Sequence, residues 1–368
     1  MRTRRSSVGS GRPTCVDDSK GIEETTTGAT RLGSMGSATT TDEQEKEKHA
    51  VTVRRAALAA ATALLALTTG CSAGGPGSTP PPTTTNPTVS RSAASARSAR
   101  SAALPQLPRG GRTLLPRYRL VGYAGSPGSP ALGRLDVGKL EDRTGELVRL
   151  SRAYAAGRLP MPVLELIATV VQSRPGRDGM YRTRVSDAVI AEHLAAARKI
   201  KGLLLLDIQP GRATFLDEVK AYSRWLAQPD VGLALDPEWA MGPGQVPMRV
   251  FGHATGRDID AVSAYVAGIV RAQRLPEKAL VFHQLAPAIV TGEGQIRRRP
   301  GVVVIKSVDG IGTRAMKTET WTRLTRRMPG TMQAGFKLFF DEDRRQGPLM
   351  TPAQVLALRP QPAYVLYE

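Results

Sequence analysis

The sequence predicts an α/β chain built as a single (β/α)8 TIM barrel, and three observations carry that expectation. From Arg117 to the end, short β-branched or leucine-rich runs alternate with helical stretches through about eight units. The runs are almost continuously apolar, as strands buried on both faces of a parallel sheet must be. Each run ends on a polar tip, and a closed barrel opens all such tips onto one face. An open doubly wound sheet is the competing architecture. It carries a glycine-rich phosphate loop after its first strand, and Gly122-Tyr123-Ala124-Gly125 matches one poorly.

Strand one is expected over residues 118–123 and strand two over 162–171. Strands three to six follow at 202–208, 231–235, 279–283 and 302–307, and the last two at 334–339 and 363–367. Phe215, Val219, Tyr222 and Leu226 keep a helical rhythm, as do Val262, Tyr265, Val266, Ile269 and Val270. In Thr351-Pro352-Ala353-Gln354 a capping hydroxyl, a proline at the first helical position and a glutamine complete a capping box. The weakest unit lies between strands five and six, where Gly292, Gly294 and Pro300 interrupt any helix.

Ahead of the barrel (residues 117–368) the chain reads as three pieces. Residues 1–50 lack apolar periodicity and read as disordered, with the true translation start expected near Val51 or Val53. Residues 51–71 combine Arg54-Arg55, an alanine- and leucine-rich run and Thr68-Thr69-Gly70-Cys71, the layout of a secretory signal. Residues 72–116, rich in Pro, Ser, Thr and Arg, read as a linker. The only cysteines are Cys15 and Cys71, so nothing after Cys71 forms an internal disulfide. The net charge of +19 comes from scattered arginines without an aromatic-interleaved stripe, so nucleic acid is not an expected partner. A basic linker beside an acyl chain would instead strengthen attachment to a membrane surface.

The polar tips hold the candidate chemistry. Asp236 and Glu238, two apart at the end of strand four, would share one face of an extended strand. Two carboxylates in a partly dry cleft separate each other's pKa, leaving one to give a proton. Asp207 is the third catalytic candidate. Gln209, Trp239, His283, Gln284, Asp309, Lys337 and Tyr123 are candidates for substrate binding, Trp239 as an apolar platform for a sugar ring. Lys337, within an apolar strand, must either reach the mouth or pair with an acid inside the barrel, and Asp207, Asp236 and Glu238 are the natural partners. Glu165 reads as an internal ion-pair partner, and Asp341-Glu342-Asp343 as a solvated loop.

Thr68-Thr69-Gly70-Cys71 resembles the lipobox of bacterial lipoproteins, which implies a diacylglyceryl group on Cys71 and a location on the outer face of the cell membrane. From Leu114 onward the chain resembles a family of uncharacterised exported or lipid-anchored barrels of high-GC Gram-positive bacteria, through Leu206-Asp207-Ile208-Gln209-Pro210-Gly211, Leu235-Asp236-Pro237-Glu238-Trp239, Phe282-His283-Gln284 and Val308-Asp309-Gly310. Leu235-Asp236-Pro237-Glu238 is also similar to the Asp-x-Glu strand end of Chalaropsis-type muramidases. Those enzymes place a further aspartate at the end of strand one, where this chain has Tyr123-Ala124-Gly125-Ser126. The expectation is a glycoside-hydrolase-like barrel acting on a wall or extracellular polysaccharide, with Glu238 as acid and no cofactor. Two alternatives stand beside it: a non-catalytic glycan-binding lipoprotein, and a hydrolase holding a divalent ion among Asp207, Asp236, Glu238, His283 and Asp309. Four histidines in the whole chain weigh against the metal, although an oxygen-rich site needs few.

Overall fold

The computed structural model describes residues 103–368. The expected signal segment, Cys71, residues 1–50 and the expected linker up to residue 102 lie outside the described residues. Eight parallel strands form the barrel: β1 (Tyr118–Gly125), β2 (Leu159–Val171), β3 (Leu203–Ile208), β4 (Val231–Leu235), β5 (Lys278–Gln284), β6 (Val302–Val308), β7 (Gln333–Leu338) and β8 (Tyr364–Tyr367). Each pairs with its successor, and β8 returns to β1 with Leu120 opposite Tyr364 and Tyr123 opposite Tyr367. Ring closure therefore holds. The slightest seam joins β4 to β5 through a single register pair, Leu233 with Leu280.

Strand period divides the apolar residues between two cores. Leu120, Met161, Val163, Leu203, Leu205, Val281 and Ile305 fill the barrel. Val121, Leu164, Leu204, Leu233, Phe282, Val304 and Phe336 face the surrounding helices. Those helices are α1 (Leu140–Arg152), α2 (Asp187–Lys199), α3 (Phe215–Ala221), α4 (Ser223–Leu226), α5 (Gly256–Gln273), α6 (Arg314–Thr325), α7 (Phe340–Gln346) and α8 (Pro352–Leu356). The capping box forms at Thr351 and Gln354. The rhythm from Phe215 to Leu226 is interrupted at Tyr222, which separates α3 from α4. Its buried hydroxyl donates to Ala168 O at 2.8 Å, at the end of β2.

Between β5 and β6 the described residues hold only 3-10 turns, Pro287–Ile289 and Glu293–Gln295, and a two-residue strand, Val290–Thr291, paired with Ala254–Thr255. Ile289, Val290 and Ile296 are buried there in place of a helix. The segment is stapled electrostatically. Asp260 of α5 accepts from Arg297 N at 2.9 Å and pairs with the guanidinium groups of Arg297 and Arg299. The Arg299 hydrogen bond holds the Asp260 carboxyl well below the usual carboxylate range. Gly256 opens α5 because a Cβ there would sit 2.1 Å from Gly292 O.

The ordered chain reaches further upstream than the predicted boundary at residue 117. Leu107 and Leu114 are 3% and 0% exposed and join the core inside the barrel. Leu114 N donates to Glu277 at 2.7 Å, and Arg112 donates to Arg274 O and Leu275 O. Without this segment the apolar end of the barrel would face water, so the last part of the predicted linker serves as its plug.

Candidate functional site

Polar residues take over the inward positions at the mouth end of the strands. On β3, Leu203 and Leu205 give way to Asp207; on β5, Ala279 and Val281 give way to His283; on β2, Met161 and Val163 give way to Glu165. The same period brings Lys337 inward on β7 and Tyr364 on β8, with Asp236, Asp309 and Glu368 just past β4, β6 and β8. The predicted convergence is real. Asp207, Asp236, Glu238, Asp309 and Lys337 are only 3% to 7% exposed, so water screens them weakly.

The contacts form one connected set. His283 Nε2 lies 3.1 Å from Glu165 Oε1, and the Tyr364 hydroxyl donates to Glu165 Oε2 at 2.9 Å. Tyr364 reaches that oxygen across Gly122, where a Cβ would stand 2.5 Å from the hydroxyl. Lys337 Nζ pairs with Asp309 Oδ2 at 3.2 Å and Glu368 Oε2 at 2.6 Å. Gln209 donates to Asp236 Oδ2 at 2.9 Å while its own carbonyl accepts from Val171 N at 3.1 Å. Gln209 thus ties Asp236 to the end of β2. Asp207 Oδ1 accepts from Ile208 N at 2.8 Å. Asp236 Oδ1 and Glu238 Oε2 are buried with no hydrogen-bond partner.

Electrostatics sort these groups. Burial, then the carboxylates of Asp236 and Asp309, push the Glu238 carboxyl well above its ordinary range. Asp207 rises for the same reasons, burial first and then Asp236 and Glu165. Burial lifts Glu368 to about 7 against the pull of Lys337. Asp309 goes the other way: burial opposes its charge, but Lys337 and His283 hold it below the usual value. Burial also opposes charge on Lys337, yet Asp309 and Glu368 keep its ammonium well above the ordinary lysine value. For His283, burial is outweighed by Glu165, and the imidazole titrates above its usual value. Glu165, Asp207 and His283 each present a ligand atom within 4.8 Å of the others, a set able to hold a cation.

Several sequence expectations need correction. Asp236 and Glu238 do not share a strand face, because β4 ends at Leu235 and Pro237 opens a 3-10 turn through Trp239. The turn, not the strand, delivers Glu238. Lys337 binds Asp309 and Glu368 directly, while Asp207, Asp236 and Glu238 act on it only at longer range. Tyr123 points outward, donating to Glu146 at 3.1 Å and packing on Phe340 and Tyr367. Gln284 braces its own loop by donating to Ala286 O, Pro287 O and Val290 O. Trp239 is 7% exposed and packs edge-on against Phe251 beside Val171 and Met241, so its ring is wall rather than platform. Asp343 is buried in α7, accepting from Gly312 N and Phe339 N and pairing with Lys317 at 3.0 Å. Tyr364 and Glu368 escaped sequence reasoning, although the period that turns Leu366 inward turns both of them inward too.

No family model matches the chain, and no curated protein matches it. Among solved structures it is similar to the spore cortex-lytic enzyme SleL of Bacillus cereus, with 13% identity and a TM-score of 0.29 over 60% of this chain. The match spans 51% of SleL, about half its length. It is also similar to dihydropteroate synthase of Xanthomonas albilineans, with 14% identity and a TM-score of 0.27, over 69% of this chain and 88% of that one. Neither overlap decides the chemistry.

Proposed function

We propose that the chain is a lipid-anchored extracytoplasmic barrel that hydrolyses a wall or extracellular polysaccharide by carboxylate acid–base chemistry. The observation that supports this reading is the juxtaposition of Glu238, whose carboxyl burial and Asp236 push well above its ordinary range, with Asp236, each buried with one oxygen, Glu238 Oε2 and Asp236 Oδ1, that has no hydrogen-bond partner. Glu238 Oε2 gives its proton to the glycosidic oxygen as the bond to the sugar carbon breaks. Asp236 Oδ1 faces the positive charge that develops on that sugar, with Gln209 fixing the carboxylate. Water then adds to the sugar and returns a proton to Glu238. Asp309, whose carboxyl Lys337 and His283 hold below its usual value, maintains the negative field around the pair. At exposures of 4% for Asp236 and 6% for Glu238, substrate contact requires the loops at the mouth to open.

That closure favours a second reading, a glycan-binding barrel with no turnover. One experiment separates them. Reducing-end release from a panel of wall polymers is measured for the full chain and for Glu238→Gln. The hydrolytic reading expects release to fall by about 10²–10⁴-fold in the variant. Equal release rejects Glu238 as the acid, and binding without release by both proteins supports the second reading. The anchor is tested separately by the mass of the mature N-terminus, where a diacylglyceryl-modified Cys71 is expected.

A further inference from the structure

We propose that the barrel holds one divalent transition-metal ion, of the Zn²⁺ or Mn²⁺ class, between Glu165, Asp207 and His283. The inference is independent of the hydrolytic reading and begins with charge. Six carboxyl groups, those of Glu165, Asp207, Asp236, Glu238, Asp309 and Glu368, meet at the closed end of the mouth against two cationic side chains, Lys337 and His283. Lys317 does not offset them, because Asp343 already pairs with it. Buried carboxylates in such excess need protons or a further cation. Two buried oxygens in the same cluster, Asp236 Oδ1 and Glu238 Oε2, lack any partner.

The three proposed ligands suit an ion by type and by support. Their ligand atoms lie within 4.8 Å of one another, on inward positions of β2, β3 and β5. One imidazole nitrogen with two carboxylate oxygens fits a borderline ion better than calcium, which takes six to eight oxygens. Two of the ligands are already oriented from behind. Tyr364 donates to Glu165 Oε2 at 2.9 Å, leaving Oε1 toward His283. Ile208 N donates to Asp207 Oδ1 at 2.8 Å, leaving Oδ2 free of the backbone. His283 Nδ1 is buried without a hydrogen-bond partner, 3.9 Å from Asp309 Oδ2, and a shift of a few tenths of an ångström up to about 1 Å would let it donate to that carboxylate as a metal-bound histidine does. The ion would sit between His283 Nε2 and Glu165 Oε1, which are 3.1 Å apart, in place of their direct hydrogen bond.

The test uses the full chain, stripped by chelator, reloaded with Zn²⁺ alone or Mn²⁺ alone and dialysed, with the bound metal counted by elemental analysis. About one ion per chain is expected, together with a rise in melting temperature on loading. Asp207→Asn and His283→Asn are expected to lose the ion. Should either fail to fold, Tyr364→Phe leaves all three ligands in place and is expected to weaken binding about 10–100-fold. Retention far below one ion by the wild type overturns the proposal. So does equal affinity in the wild type and Tyr364→Phe when the folded ligand variants also keep their metal, since that places the ion elsewhere. No substrate enters the assay, so its failure leaves the hydrolytic reading untouched.

Discussion

The lower and upper halves of the barrel interior are built from the same eight strands, yet they obey opposite rules. Below, Leu120, Met161, Val163, Leu203, Leu205, Val281 and Ile305 fill the ring, and Leu107 and Leu114 close its end. Above, the same inward period carries Glu165, Asp207, His283 and Lys337. A parallel barrel is stabilised by apolar filling, so polar residues on these positions cost stability unless partners satisfy them. The contrast places apolar packing in the lower half and the candidate site, with its paired charges, in the upper.

The largest expected effect comes from removing the cation of the upper half. Lys337→Met leaves Asp309 and Glu368 facing each other in a buried site, and chemical denaturation is expected to show a loss of about 3–5 kcal/mol. A loss below ~1 kcal/mol would mean that the carboxyl groups there are already neutral or wet. In the lower half, Leu205→Ala removes packing alone, and a loss of about 2–4 kcal/mol is expected with no dependence on pH between about 5 and 8. Gly122→Ala strikes the boundary between the halves, since its Cβ would stand 2.5 Å from the Tyr364 hydroxyl. About 1–3 kcal/mol of overpacking is expected, relieved when Tyr364→Phe is combined with it. Additive losses in that double variant would show that the hydroxyl is not the obstacle.

The smallest effect is a slope. Glu368 titrates at about 7 when folded against an ordinary 4.5, so the folded state holds its proton more tightly. Its contribution is fully present below about 4.5 and is lost as pH rises through about 7. Glu238, Asp207 and His283 are shifted upward too and act in the same direction, while Asp309 and Lys337 are shifted out of this window. Lys278, lowered to about 7 by burial, and His193, also lowered by burial, act in the opposite direction. The expectation is therefore a difference: between about pH 5 and pH 8 the stability of Glu368→Gln, read as its melting temperature, falls less with rising pH than that of the wild type. Leu205→Ala is expected to keep the wild-type slope.

The halves were also unequally legible in the sequence. Strand positions were readable because apolar runs end where polar tips begin, the largest offset being β2, which starts at Leu159 instead of Pro162. The break between β5 and β6 was readable from its glycines and proline. Which side of a strand faces inward was readable only where a polar residue marks it, as Asp207 does on β3. On β1 every residue is buried, so nothing distinguishes the outward Tyr123 from an inward neighbour. The partners of Lys337 were not readable, because Asp309 and Glu368 lie 28 and 31 residues away and only the pairing of β7 with β6 and β8 brings them together. Trp239 was misplaced because its environment is set by Phe251 and Met241 in a loop without period.

The central claim is that Glu238 is a neutral acid at neutral pH because it is buried beside Asp236. Infrared difference spectroscopy of the full chain against Glu238→Gln reads this directly. The expected result is a protonated-carboxyl band at pH 7 that disappears in the variant and persists in Glu146→Gln, a change outside the cluster. A wild-type spectrum in which Glu238 contributes only an ionised carboxylate at pH 7 would contradict the account.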